Sequence, residues 1–134
     1  MELDQTRREL ISRLRGGLTR PGNSVTVTHS LDHPALKDPP LIRGEQPDLL
    51  GRGLGHTLII GLVKSEPDLT DDESLRQYQV FGNYRDPETN ELAILHLAIL
   101  REFRELAQAA LEEAGLTDNS YFIWDFPTTD SRPR

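Results

Sequence analysis

The chain has 134 residues and no cysteine, which excludes disulfides, thiolate zinc sites, iron–sulfur clusters and cysteine nucleophiles. Its length suits one domain with a real core, and 28% charged against 36% hydrophobic residues is a globular balance. A formal net charge of −7 opposes broad phosphate-backbone binding as the main activity, so nucleic acid is not the expected partner.

No apolar run reaches the length of a membrane span, and the opening MELDQTRREL lacks the apolar core of a signal peptide. Cytoplasmic synthesis without membrane attachment is the expectation. All basic residues are arginine except Lys37 and Lys64. That bias reads as genome composition rather than as forked recognition of carboxylate or phosphate.

In chain order, residues 2–15 predict a short helix, with Leu3, Leu10, Ile11 and Leu14 on one face and Gly16-Gly17 as its stop. Its arginines, Arg7, Arg8, Arg13 and Arg15, read as a solvated face paired with Glu2, Asp4 and Glu9. Pro21-Gly22-Asn23 is a turn, and SVTVTHS over 24–30 alternates as a β-branched strand. Residues 31–55 carry Pro34, Pro39, Pro40 and Pro47, which forbid a long helix or a central strand. A structureless connection of that length suggests a functional or oligomer-forming arm, with Leu36, Leu41, Ile42, Leu49 and Leu50 free to dock on a partner or on the chain's own core.

HTLIIGLV over 56–63 is nearly all apolar and predicts a strand in the middle of a sheet. The acidic run over 65–74 reads as a solvated loop, and RQYQVFGNYR over 76–85 as a further alternating strand. Glu91 to Gly115 is the longest periodic segment and predicts one long helix, capped by Asp86-Pro87-Glu88 or Asn90 and closed by a left-handed Gly115 with Leu116 on Leu111. Its first half is apolar nearly all round through Ile94, Leu97 and Ala98, so it needs cover on several sides. One rival reading makes YRDPETNEL a hairpin turn, with Leu92 to Leu95 starting as strand. SYFIWDF over 120–126 is the last strand, with large apolar groups on both faces, as suits an inner strand or one covered by a partner. The sum is an α+β fold: a small, mainly antiparallel sheet of about four strands, an N-terminal helix and one long C-terminal-half helix on one face, in the order α-β-β-β-α-β. Residues 1–126 form the domain and 127–134 a polar tail.

Candidate chemistry is sparse. His29 and His33, with Asp32 and Asp38 nearby, hold the residue types of a zinc or manganese site, but their spacing straddles a strand end and Pro34. His96 reads as a core or interface histidine. Gly51-Arg52-Gly53-Leu54-Gly55 precedes a strand instead of opening a helix, so it reads as a hinge and not a phosphate loop. Glu66, Asp68, Asp71, Asp72 and Glu73 lack the alternation and central glycine of an EF-hand loop. No serine stands in a G-x-S-x-G elbow. Tyr121, Phe122, Trp124 and Phe126 have the rings to stack bases, but no lysine or arginine interleaves them.

Two resemblances concern element order. Helix, three strands, helix, strand resembles the core of PD-(D/E)xK nucleases, a family that places an Asp and a Glu-x-Lys on its second and third core strands to hold a metal and activate water. Here the expected third strand, 76–85, has neither acid nor lysine, and Lys64, Glu66 and Asp68 follow the strand before it. The same order looks like that of phage tail-terminator and neck proteins, which form rings tied by extended arms; an acidic secretion-chaperone type of dimer is similar in length. The expectation is therefore a non-enzymatic assembly or adaptor protein without cofactor or metal. It acts as a homo-oligomer or with other protein subunits, as a cytoplasmic product or part of a virion, through Leu41, Ile42, Leu49, Leu50, Ile94, Leu97, Trp124 and Phe126. The alternative is a metal-dependent nuclease or hydrolase with a degenerate core.

Overall fold

The computed structural model describes residues 5–65 and 68–127. The chain folds as α+β around one mixed five-stranded sheet. Its elements are α1 (Gln5–Leu18), β1 (Thr26–Ser30), β2 (Leu49–Arg52), β3 (Leu58–Val63), α2 (Asp72–Gly82), β4 (Ile94–Leu100), α3 (Arg104–Glu113) and β5 (Tyr121–Phe126). Spatial order follows chain order: β1, β2 and β3 pair antiparallel, then β3, β4 and β5 run parallel.

The parallel half explains where sequence reading slipped. Parallel strands are covered on both faces, so they read as continuous apolar runs that a helical wheel also accepts. ILHLAIL is such a run. Instead of one helix over 91–115, the chain forms β4, turns through Arg101–Phe103, and only then forms α3. The hairpin-like rival was right for the start: Asp86 N–H donates to the Glu91 carbonyl and Ala93 N–H to the Tyr84 carbonyl. The C-terminal end is as expected, with Gly115 at φ 91° and the Leu116 amide bonded to the Leu111 carbonyl.

The second difference is α2, expected as a strand. Asp71 caps it by accepting the Ser74 amide at 2.8 Å, and Asp72 and Glu73 stand in its first turn, where the helix dipole favours acids. Tyr78, Phe81 and Gly82 then fall on one buried face at helical spacing. Part of the expected acidic loop is thus a helix start; Glu66 lies outside the described residues, as do Leu3, Glu2 and Asp4 and all of the tail but Pro127. In α1 the helix runs on through Gly16-Gly17 to Leu18.

Helices cover both faces of the sheet, not one. α1 lays Leu10, Ile11, Leu14 and Leu18 on Leu49, Ile59, Val63 and Ala98. α2 and α3 cover the other face, where Ile60, Leu62, Leu95, Leu97 and Ile99 meet Tyr78, Phe81, Ala107 and Leu111. Two glycines let these layers close. A Cβ on Gly82 would lie 2.3 Å from Leu116 Cδ2, and one on Gly17 would lie 2.6 Å from Cζ3 of the Trp124 ring. The proline-rich passage contributes β2 and packs on its own domain, with Ile42, Leu49 and Leu50 buried.

Candidate functional site

The correction to strand order matters most at the end of β3. Leu49 pairs with Gly61, so Asp48, just before β2, lies beside the C-terminal end of β3, and its amide donates to the Gly61 carbonyl at 2.9 Å. Lys64 directly follows β3. Asp48 and Lys64 therefore flank neighbouring strands at one end of the sheet. Two residues before Lys64, where the nuclease pattern has its Glu, stands Leu62, buried against α2 and α3.

Asp48 is fully buried. One carboxylate oxygen accepts from Arg7 Nη2 of α1 at 2.6 Å, and the other from the Val63 amide at 2.8 Å. Burial, the largest influence, pushes its carboxyl up against the opposing pull of Arg7, the Val63 amide and Lys64. Burial also pushes the Lys64 ammonium down, and Lys64 Nζ donates to Gln77 Oε1 of α2 at 2.6 Å. Arg7, Lys64 and Gln77 line a cleft of about 530 Å³ together with Asp38, Asp68, Asp71 and Glu73, while Asp48 lies buried behind Arg7.

A nuclease-type centre implies a divalent cation, and the residues present do not fit one. Hard cations of this kind need several oxygen donors. Here one carboxylate is offered, a guanidinium already lies on it, and the second acid's position holds an aliphatic side chain. Among the described residues no group of three or more His, Asp or Glu is placed to hold a metal. His29 is bonded to Thr28 Oγ1, and His33 Nδ1 accepts the Ala35 amide. Asp68 accepts Ser65 Oγ, Asp71 caps α2, and Gly51–Gly55 leads through a turn into β3, not into a helix.

A second feature lies on the α1 face, past the end of that helix. An apolar groove of about 320 Å³ is lined by Leu18, Leu54, Ile94, His96, Phe122 and Trp124. Trp124 Nε1–H donates to His96 Nδ1 at 2.9 Å, which places the ring proton of a neutral His96 on Nε2. Burial pushes the His96 pKa down to about 4. The Phe122 ring lies 5.0 Å from the His96 ring and is 56% exposed.

The expected contact residues divide between these surroundings. Ile94 and Trp124 line the groove, and half-buried Phe126 continues the aromatic row beside Trp124. Leu41 is 62% exposed elsewhere, while Ile42, Leu49, Leu50 and Leu97 are buried within the chain's own core. Reading the residues named Phe122 only among rings able to stack bases and left it out of the contact set, and it missed Asp48, Gln77 and the role of Arg7, which only the true strand order brings together. Among the described residues no helix is long and apolar enough to cross a membrane. No protein-family model, curated protein or solved structure matches the chain.

Proposed function

We propose that this protein is a non-catalytic contact and assembly module, built on a nuclease-like core whose catalytic centre is closed by an internal ion pair. The observation that carries the reading is the Arg7–Asp48 pair: the one acid at the centre has both oxygens engaged within the protein, and Leu62 replaces its partner acid. Each oxygen of that carboxylate already accepts from the protein, and its full burial keeps it from solvent, which weighs against a role as metal ligand or general base. The aromatic groove supports contact as the working mode, since the exposed Phe122 and Leu54 adjoin a concave apolar surface that another chain could cover. The self-packed passage 31–55 favours contacts through the groove over a ring tied by extended arms. The test pairs light scattering with incubation of linear and circular DNA in magnesium or manganese. Intact DNA and a particle larger than one chain are expected; cleavage, or a strict monomer at tens of micromolar, overturns the reading.

A metal-dependent nuclease is the second reading, and one observation favours it: Asp48 and Lys64 flank adjacent strands at one end of the sheet, much as that family places its Asp and Lys, and Lys64 lines a cleft with further acids. It requires cleavage that is lost in both Asp48→Asn and Lys64→Ala.

A further inference from the structure

The two edges of the sheet are built differently. β1 is blunted: its register with β2 shifts at a bulge between Val27 and His29, and on its outer side the Ser30 amide is bonded to the Lys37 carbonyl. Bulges and covering loops are how proteins keep an edge from pairing with another chain. Among the described residues β5 has none of these devices. It pairs with β4 over six residues without a register shift and contains no proline, glycine or lysine; among the described residues no strand lies on its far side. Its single charge, Asp125, is held by Arg101 at 3.3 Å and Arg104 at 2.6 Å within the same chain.

We propose that β5 is a dimerisation edge that pairs antiparallel with β5 of a second copy, extending the two sheets into one. This deepens the contact reading above by naming its partner. Two features favour a second copy over an unrelated strand. Antiparallel pairing of one strand with itself obeys a two-fold axis. Placed at Ile123, that axis sets Phe122 of each copy beside Trp124 of the other on the groove face, and Tyr121 beside Asp125 on the opposite face. The exposed Phe122 ring is then covered by an aromatic partner, and each groove continues into the interface. Charge also permits it: the chain carries −7 overall, but the edge acid is neutralised by its own arginines, so the copies meet without bare carboxylates facing each other.

Sedimentation equilibrium on the full chain tests this, with Phe122→Lys as the interface variant and Leu41→Lys as a control at an exposed site of its own. The wild type and the control should sediment at twice 15.2 kDa. Phe122→Lys, folded by circular dichroism, should weaken the dimer about thirtyfold or more, the loss expected of a central aromatic contact. Hydrogen exchange of the amides at 121–126 should slow with rising wild-type concentration but not in the variant. A monomeric wild type overturns the proposal. A wild-type oligomer that Phe122→Lys leaves intact overturns the β5 edge while sparing the contact reading.

Discussion

The polar cleft at the end of β3 and the aromatic groove beyond α1 lie in the same small domain and are finished to opposite degrees. At the cleft the buried charges are answered from within: Asp48 by Arg7 and the Val63 amide, Lys64 by Gln77. In the groove Trp124 and His96 satisfy each other, but Phe122 and Leu54 face outward with nothing over them. Buried charges that are paired internally weigh against chemistry in the cleft, and open apolar surface weighs for contact at the groove. The difference supports the proposed contact role over a catalytic one.

The largest expected effect comes from breaking the finished region. Asp48→Ala leaves the Val63 amide and the Arg7 guanidinium without their buried acceptor, and urea unfolding should show a loss of about 3–5 kcal/mol. Gly17→Ala acts at the border of the open region. Its methyl would meet the Trp124 ring at 2.6 Å, so the ring must move or the helix lift, at about 1–3 kcal/mol by thermal melting and with a changed tryptophan emission.

Next comes a pH effect. His96 is held neutral by burial, with its pKa down at about 4 against the ordinary 6.5. The unfolded chain therefore takes up a proton below pH 6.5 that the folded chain refuses until about pH 4. Stability is unaffected by this group above 6.5 and falls as pH drops between the two values, by about 1.4 kcal/mol at pH 5.5. His96→Gln should flatten that part of the curve in urea titrations at a series of pH values. The smallest effect is at the exposed ring: Phe122→Ser should change monomer stability by no more than about 0.5 kcal/mol, measured below the dimer's dissociation constant.

How far the sequence could be read follows from the same contrast. β1, β3 and β5 were legible because alternation and apolar runs bounded by turn residues admit one interpretation each. β4 was not, because ILHLAIL satisfies a helical face as well as a buried parallel strand, and no Gly or Pro marks the break before α3. For α2 the signal was present in the Asp71 cap and the acids after it, but the alternation of Tyr78, Val80 and Gly82 outweighed it. The site went unseen for that reason. With RQYQVFGNYR as the third strand, Lys64 falls outside the motif, and Asp48 lies in a passage that reads as an arm. Arg7, some forty residues away in sequence, gives no local sign that it reaches Asp48; only the packing of α1 across the sheet brings it there.

The closed centre is open to direct test by isothermal titration with manganese, on the wild type and on a variant carrying Arg7→Ala with Leu62→Glu. The variant removes the internal cation and places a second acid beside Asp48. No binding heat from the wild type and saturable heat from the variant, lost again on adding Asp48→Asn, is the expected result. Saturable manganese binding by the wild type that depends on Asp48 would contradict it and return the cleft to catalysis.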